Sequence, residues 1–306
     1  MSPRHALLAV LVMLVWGGNF VVIDAGLADV PPLAFLALRF ALVALPWVFV
    51  VPPPRVGWRP VVAVGAFMSL GQFSFLYVAL ELGMPAGLAS LVLQAQVIIT
   101  IVLAAAVLRE RPTRAQAVGA TVGTVGLVVV MVAHGASSPL LPAVVMLGAS
   151  TCWAIGNVVA RAAGVASGLS MVVWSALVVP VPAFLLSVLV DGWSPTVDGL
   201  TQLSGTAWLS TAYTAFGASL LGYTIWNSLL ARYPASAVVP FVLLVPVVGI
   251  VAAWLVQGEV PSPLELAGGA VMMVGVALAT VRLGRRPRAG VTRDPAPACA
   301  GASPRA

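Results

Sequence analysis

The sequence predicts an all-α membrane protein in which ten transmembrane helices form two five-helix inverted repeats. Three observations predict this fold: the composition, a series of apolar runs of helix length, and an internal repeat. Of the 306 residues, 61% are hydrophobic and only 8% are charged, and the mean hydropathy is +1.08. A soluble domain carries roughly 25% charged residues, and a chain of this size cannot hide so much apolar surface from water. Lipid is therefore the expected solvent.

The net charge of +6 does not indicate a nucleic-acid partner. All fifteen basic residues are arginines, and they recur singly between apolar runs instead of forming a stripe. The two cysteines, Cys152 in an apolar run and Cys299 near the end, give neither a disulfide framework nor a metal-ligand pattern. We expect no nucleic acid, no metal and no cofactor among the partners of this chain.

Ten apolar runs follow one another with short breaks, and nearly every break carries a proline, a glycine or a charge. Each run is close to the ~20 residues that a spanning helix needs. The first is too long for the core of a signal peptide, so we interpret it as a membrane helix. Residues 284–306 are polar, basic and rich in proline, which predicts a disordered cytoplasmic tail. The predicted spans are 6–27, 31–51, 60–80, 85–108, 113–133, 140–161, 169–190, 206–230, 235–257 and 262–283.

The distribution of arginine predicts the orientation. With the N-terminus in the cytoplasm, ten spans return the C-terminus to the same side, and fourteen of the fifteen arginines then lie in cytoplasmic segments. The external segments hold or border acidic residues instead, as the positive-inside rule expects. We predict a multi-pass protein of the inner (cell) membrane with both termini in the cytoplasm. The remaining arginine, Arg39, lies inside the second span.

The fourth and fifth spans repeat in the ninth and tenth with an offset of 149 residues and no gap over 42 residues. The repeat predicts a first five-helix half, 1–134, and a second, 135–283, followed by the tail. Since five is odd, the second half enters the membrane from the opposite side. Inverted repeats favour alternating access, in which two bundles rock around a site at their interface; the alternative is an old duplication in a static scaffold. The matching pairs are Pro85 and Pro234, Glu110 and Glu259, Pro112 and Pro261, Gly119 and Gly268, and Gly126 and Gly275.

Several motifs resemble the EamA family of the drug/metabolite transporter superfamily. They are WGGNF at 16–20, LRF at 38–40, the glutamate before the fifth and tenth spans, and the segments GMPAGLASLVLQAQ at 83–96 and GYTIWNSLLARY at 222–233. The resemblance covers about 6–283 and is greatest to the exporters of O-acetylserine and cysteine. It implies a secondary transporter that exports such zwitterionic metabolites. The alternatives are the same fold moving other amino acids, purines or drugs, and a non-transporting membrane subunit or channel.

Arg39 is the first candidate for a substrate contact. A charged side chain within a membrane is costly unless it has a partner or faces a cavity. One hypothesis makes it the cation for a substrate carboxylate. The other makes it structural, either paired with Asp24 or Glu81 or bonded to carbonyl groups.

Gln94 and Gln96 lie near the middle of the fourth span. In an ideal α-helix, side chains two residues apart point about 160° from each other. We therefore expect one glutamine to line the central cavity and the other to face a neighbouring helix, where hydrogen bonds join helices. The repeat places Leu243 and Val245 at the equivalent positions, so these amides belong to one half only.

Other polar residues extend the candidate site. Ser219, Tyr223 and Asn227 recur every fourth residue in the eighth span, where they form either a hydrated path or helix contacts. Asn19 and Asn157 lie in a weaker repeat of the first and sixth spans, and they are expected to bond across the halves or to reach the substrate. The predicted substrate-binding residues are Asn19, Arg39, Gln72, Gln94, Gln96, Asn157, Tyr223, Trp226 and Asn227.

Other residues are expected to serve the scaffold. Glu110 and Glu259 precede helices that begin with proline, where a carboxylate complements the helix dipole. The repeated glycines allow the fifth and tenth spans to pack closely. We predict kinks or broken backbone where prolines fall inside the second, seventh and ninth spans. These are Pro46, Pro180, Pro182, Pro240 and Pro246.

No motif of an enzyme is present: the sequence has no HExxH, no GxSxG and no P-loop. We therefore predict that the protein is not an enzyme. Proton antiport through Asp24, the deepest acid, is a hypothesis for energy coupling. A homodimer stays open as an alternative to a monomer.

Overall fold

The computed structural model describes residues 1–135, 139–164 and 168–280, with the backbone alone for Ala235 and Ser236. The secondary structure of this part is helical, with no β-strand. All ten predicted spans are present as helical segments, here numbered α1 to α10, whereas the predicted tail lies outside the described residues. The segments are α1 (Pro3–Leu27), α2 (Pro32–Ala44), α3 (Trp58–Glu81), α4 (Ala86–Val107), α5 (Arg114–Gly135), α6 (Leu141–Ala162), α7 (Leu169–Ala176 and Pro180–Val190), α8 (Gly205–Ala212, Tyr213–Leu221 and Gly222–Arg232), α9 (Ala235–Val238, Val239–Leu243 and Leu244–Gln257) and α10 (Pro263–Thr280). A short helix that was not predicted, Trp193–Thr201, connects α7 to α8.

The protein is a multi-pass membrane protein. Seven helices in the described ranges are long and apolar enough to cross a membrane, and the bent α7 makes an eighth if its two parts form one span. Large apolar side chains cover the outside of the bundle: Leu189 is 80% exposed and Val102 is 58% exposed. Such an outer surface is stable in lipid but not in water.

Prolines interrupt the helices at three of the five predicted places. Pro46 ends the regular part of α2, and the chain continues over 45–50 as turns. The two parts of α7 meet at 41° just before Pro180, and the five residues of α9 around Pro240 form a 3₁₀ helix. Pro182 and Pro246 lie in the first turn of the α-helix that follows, where the missing N–H has no partner to lose.

Two π-helical segments occupy equivalent places in the halves. They are Gly65–Gly71 in α3 and Tyr213–Leu221 in α8, which overlap when the repeat offset is applied. In the second, the Ser219 hydroxyl donates to the carbonyl of Thr214, five residues earlier, over 2.8 Å. Because π segments shift the faces of a helix, they reorient side chains on either side of them.

The helices α5 and α10 pack backbone to backbone, as the sequence predicts. A methyl group built on Gly119 would lie 2.6 Å from the amide nitrogen of Ala279 and from the carbonyl oxygen of Gly275. One built on Gly126 would overlap the backbone of Met272. These glycines therefore allow a separation between α5 and α10 that no larger residue permits. We call this contact the glycine seam.

Helices α4 and α9 end in the same way. A residue just beyond each helix adopts a left-handed conformation: Arg109, the second residue after α4, at φ 55°, and Gly258, the first after α9, at φ 70°. In both places the next amide, that of Glu110 or Glu259, donates to the carbonyl six residues earlier, over 3.4 Å and 3.3 Å. This hydrogen bond spans one residue more than that of a Schellman cap, in which the accepting carbonyl lies five residues earlier. The repeat is thus expressed in backbone geometry, although only one of the two positions is a glycine.

Successive segments alternate in direction, so their ends lie on two sides of the bundle. On one, the terminal side, His5 of α1 contacts Tyr233 after α8, with Nδ1 and Oη 2.7 Å apart. On the other, the far side, Gln257 at the end of α9 donates to Asp24 near the end of α1. The sequence predicts that the terminal side faces the cytoplasm.

Candidate functional site

A cavity of about 290 Å³ lies inside the bundle and is lined by every segment except α5 and α7. The lining includes eight of the nine residues predicted to bind substrate. The ninth, Asn227, is not part of it. The eight are Asn19, Arg39, Gln72, Gln94, Gln96, Asn157, Tyr223 and Trp226.

Both glutamines of α4 line this cavity, so the prediction that only one would do so is wrong. The reason is that α4 is not an ideal helix at this point. The backbone N–H groups of Gln94 and Gln96 donate to the carbonyls three residues earlier, those of Leu91 and Leu93, over 3.0 Å and 3.1 Å. With three residues per turn, side chains two apart diverge by about 120° instead of about 160°. The side-chain amides of Gln94 and Gln96 can then both face one wide cavity.

Gln96 also takes part in an interhelical hydrogen bond. Its Oε1 accepts from Asn157 Nδ2 of α6 over 3.0 Å, and Asn157 also approaches the hydroxyl of Thr100 at 3.4 Å. Asn157 therefore joins the second half to the first, as one of its two predicted roles required. Its partner is an amide of α4 and not its repeat equivalent Asn19.

Arg39 is held by hydroxyl groups, not by carboxylates. Its Nη1 donates to Tyr77 of α3 over 2.9 Å and its Nη2 to Ser219 of α8 over 3.1 Å. The guanidinium lies 4.2 Å from the centre of the Phe73 ring, which is a cation–π contact. In the described chain no salt bridge joins Arg39 to an acid, so the predicted pairing with Asp24 or Glu81 is wrong. A charge in the membrane is thus stabilised by neutral hydrogen-bond acceptors and an aromatic face.

Two polar atoms in the cavity wall have no hydrogen-bond partner among the described residues. They are Oδ1 of Asn19 and Nε of Arg39, both shielded from solvent. Buried polar atoms in proteins are nearly always paired, and an unpaired one needs an explanation. One acceptor and one donor are therefore free to bind an additional molecule if the surrounding side chains move slightly.

Aromatic rings form another part of the wall. The Trp16 ring lies 5.2 Å from that of Tyr223 and 5.5 Å from that of Trp226. Trp16 is fixed by a hydrogen bond of 2.9 Å from its Nε1 to the carbonyl of Ala218. The lining from α8 ends at Trp226, whose indole packs against Trp16, and the next residue, Asn227, is outside the lining. Regular spacing along α8 could not reveal where the cavity ends.

The repeat-equivalent positions 243 and 245 line the same cavity. Leu243 and Val245 of α9 thus present apolar side chains where α4 presents Gln94 and Gln96. The cavity is consequently polar on the α4 side and apolar on the α9 side, although the two backbones are related by the repeat.

A model of the EamA-like transporter family matches residues 4–132 and 140–281 of this sequence. The chain belongs to the EamA-like transporter family. A protein of Salmonella typhimurium (strain LT2) named "Probable amino-acid metabolite efflux pump" is 42% identical to it over 282 residues, which cover 90% of this chain and 94% of that protein. The protein of the same name in Escherichia coli (strain K12) is 40% identical over equal shares.

More distant similarity extends to other members. A "Probable terminal-alkyne amino-acid exporter" of Streptantibioticus cattleyicolor is 32% identical over 288 residues, covering 90% of this chain and 94% of that protein. A solved structure titled "Crystal structure of protein" superposes with a TM-score of 0.60 at 20% identity, covering 92% of this chain and 98% of that chain. This second similarity concerns the fold alone.

The cavity of this EamA-like transporter contains no acidic residue among the described side chains that line it. Asp24 is not in the lining; it accepts the hydrogen bond from Gln257 at the far side. Nor do the described residues contain a group of three or more His, Cys, Asp or Glu that could hold a metal ion. The chemistry of the site is therefore that of amides, one guanidinium and aromatic faces.

Several residues that line the cavity were not predicted from the sequence of this family member. Met68 and Leu76 lie on the same face of α3 as Gln72, one turn before and after it, so helical spacing could have found both. Trp153, one turn before Asn157 in α6, also lines the cavity, although it was not among the predicted residues. The cation–π contact between Phe73 and Arg39 could not be predicted from the sequence, because it depends on how α2 packs against α3.

Proposed function

We propose that this protein is a secondary transporter that exports small amino-acid metabolites, with cysteine and O-acetylserine as its substrates. The observation that carries the proposal is the cavity inside the bundle, whose wall combines amide side chains, a buried guanidinium and unpaired polar atoms. The names of the two relatives that are 42% and 40% identical describe efflux of amino-acid metabolites. A site of this kind does no covalent chemistry, and it suits reversible binding.

The cavity offers complementary groups to a zwitterion. A substrate carboxylate would accept hydrogen bonds from the amide nitrogens of Gln94 and Gln72 and would be attracted by the charge of Arg39. The ammonium group would donate to the free Oδ1 of Asn19 and lie over the rings of Trp16 and Tyr223, a favourable cation–π arrangement. A volume of about 290 Å³ is at the small end for ligand pockets, which favours a small amino acid.

Transport would proceed by alternating access. The halves 1–134 and 135–283 would rock about the cavity, which is lined by both of them. We propose that the terminal side faces the cytoplasm and the far side the exterior of the inner membrane, because arginines are concentrated on the terminal side. Efflux then requires that substrate enters from the terminal side and leaves on the far side.

Counterflow in proteoliposomes tests the proposal. Vesicles loaded with unlabelled cysteine should accumulate labelled cysteine from outside, and O-acetylserine inside should support the same exchange. A channel would dissipate the gradient without exchange, and a scaffold would move nothing; either result contradicts the proposal. Protein-free vesicles of the same lipids, loaded in the same way, serve as the control for passive leak.

A wider amino-acid specificity is the second candidate. The relative named as an exporter of terminal-alkyne amino acids is 32% identical to this chain, and the apolar α9 side of the cavity could accept a longer side chain. Competition of labelled cysteine with a panel of amino acids, purines and cationic drugs separates the candidates. Inhibition by longer amino acids at concentrations equal to that of O-acetylserine would favour this wider class.

A further inference from the structure

The charge of Arg39 is buried beside groups that do not neutralise it. Only 2% of the residue is exposed, and the partners of its two terminal nitrogens are the hydroxyls of Tyr77 and Ser219. The Ser219 hydroxyl gives its own hydrogen to the carbonyl of Thr214, so it meets Arg39 only as a neutral acceptor. The ring of Phe73 adds a cation–π contact. These groups stabilise the guanidinium and leave its net charge in place.

The acidic residues of the described chain are engaged elsewhere or lie at the surface. Of the nine acids in the sequence, eight belong to the part that the structure describes, and the ninth, Asp294, does not. Not one of these eight lines the cavity. In the same part of the chain the ion pairs engage Glu110 and Glu265 with other partners, so no described carboxylate lies within ion-pair distance of Arg39. The eight are Asp24, Asp29, Glu81, Glu110, Asp191, Asp198, Glu259 and Glu265.

The cavity wall offers further N–H donors. The Nε of Arg39 is shielded from solvent and has no hydrogen-bond partner among the described residues. The side chains of Gln72 and Gln94 line the same cavity, each only 5% exposed, and an amide side chain carries two N–H groups. A volume of about 290 Å³ leaves ample room for a single ion. A positive charge, an unpaired donor and no acid in the described wall are the features that bind a small anion.

We propose that this cavity binds a small inorganic anion, such as chloride, at Arg39 in competition with the carboxylate of the substrate. The anion neutralises the guanidinium and accepts hydrogen bonds from its Nε and from the amides of Gln72 and Gln94. A charge buried away from water is costly unless an opposite charge accompanies it, so the site is occupied in the absence of substrate. The competition rests on the proposed function, whereas the binding of the anion does not.

Thermal unfolding of the purified protein in detergent, without substrate, tests the anion site. Chloride is varied at constant ionic strength, with a bulky morpholine sulfonate as the replacing anion. At ten times the half-saturating concentration, a ligand that binds only the folded state favours that state about elevenfold. The melting temperature should therefore rise by roughly 2 °C. Exchange of sodium for potassium at fixed chloride should change nothing.

A matched pair of variants places the effect at Arg39. The Ser219 hydroxyl lies 3.1 Å from Nη2 of Arg39, so Ser219→Asp puts a carboxylate beside the guanidinium and should abolish the shift caused by chloride. Ser219→Asn has nearly the same shape without the charge and should keep the shift. Both variants lose the hydroxyl, so the consequences of that loss are common to the pair.

Two more variants guard against a folding defect in the first pair. Gln72→Glu introduces a carboxylate into the cavity with almost no change of size, and it should also abolish the shift caused by chloride. Tyr77→Phe removes a neutral acceptor and keeps the charge of Arg39, so the shift should remain. Membrane abundance and elution as a single species in gel filtration show which variants are folded.

Counterflow tests the competition. At ten times its half-saturating concentration, chloride should raise the cysteine concentration for half-maximal exchange about elevenfold and leave the maximal rate unchanged. An unchanged half-maximal concentration would refute the competition. If no counterflow of cysteine occurs, the proposed function fails, and the thermal measurement still decides whether the anion binds.

Three results of the thermal measurement would overturn the inference. The first is that chloride does not shift the melting temperature of the parent chain. The second is an equal shift in the parent, Ser219→Asp and Ser219→Asn, which would mean that chloride acts at arginines outside the cavity. The third is loss of the shift in both Ser219 variants, because the loss would then not follow the charge.

Discussion

Gln96 and Asn157, 61 residues apart in the sequence, share a hydrogen bond of 3.0 Å in the wall of the cavity. The bond joins α4 of the first half to α6 of the second. It places two amides of the candidate site in a fixed relation, and it makes one of them a structural partner of the other. The roles of Gln94 and Gln96 therefore differ, although both side chains face the same cavity.

The bond between Gln96 and Asn157 predicts energetic coupling. In a double-mutant cycle of Gln96→Ala and Asn157→Ala, the free energies of unfolding should be non-additive by about 0.6 kcal/mol, the mean for hydrogen bonds between membrane helices. Thermal unfolding in detergent is the measurement. Gln94→Ala combined with Asn157→Ala is the matched control and should be additive. Additivity in both cycles would contradict the assignment of the bond.

Gln94→Leu should lower transport without lowering the amount of protein in the membrane. The substitution removes an amide from the cavity and introduces the residue that the repeat has at 243. Loss of one hydrogen bond to a charged group corresponds to roughly a tenfold change in apparent affinity. Initial rates of counterflow at several cysteine concentrations measure it. Leu244→Ala, outside the lining, is the control, and equal rates for both variants would show that Gln94 does not contact substrate.

Arg39→Gln should destabilise the fold. The change removes the donors to Tyr77 and Ser219 and leaves both hydroxyls with one partner fewer. Such loss costs about 1–3 kcal/mol, so membrane abundance and melting temperature should both fall. Tyr77→Phe removes only one of these bonds and should show a smaller effect. Normal abundance of Arg39→Gln with abolished transport would instead favour a direct role in binding the substrate carboxylate.

Gly119→Ala should weaken the glycine seam. The added methyl group would lie 2.6 Å from backbone atoms of α10, and backbone cannot move aside as a side chain can. Overpacking of this kind costs about 1–3 kcal/mol, which should appear as a lower melting temperature. Gly205→Ala is the control, because no atom lies within 4 Å of its added methyl group. Equal stability of the two variants would mean that the seam is looser than described.

Asp24→Asn should leave the pH dependence of transport unchanged. Asp24 is hydrogen-bonded to Gln257 and does not line the cavity, so protonation there has no direct route to the substrate. Counterflow rates of the variant and the parent chain across a pH series provide the comparison. A flattened pH profile in the variant would restore the hypothesis of proton antiport through this residue.

The sequence predicted those features of the fold and of the site that a single physical rule determines. Long apolar runs fix the positions of the helices, since only a helix satisfies its own backbone in lipid. Polar residues such as Gln72 and Asn157, expensive in apolar surroundings, indicated the cavity for the same reason. The glycine seam followed from spacing, because glycines seven apart share a helix face.

The failures come from local geometry and distant contacts. An ideal α-helix would point the side chains of Gln94 and Gln96 in nearly opposite directions. In the structure a tighter turn lets both of them line the same cavity. Pairing with an acid was one of the structural alternatives for Arg39, because charge pairing is a common way to stabilise a buried charge. The observed partners, Tyr77 and Ser219, are ordinary residues whose positions depend on how three helices meet. Asn227 had the right spacing but is not part of the lining.

The glycine seam has a consequence for how such a chain can change over generations. Its contact is made by main-chain atoms, whose dimensions are the same in every protein, and it uses no residue of the cavity. The glycine seam between the halves and the substrate specificity therefore depend on separate sets of residues. New substrate specificities can therefore arise when cavity-lining residues of α4 or α9 are replaced, while the glycine seam stays unchanged.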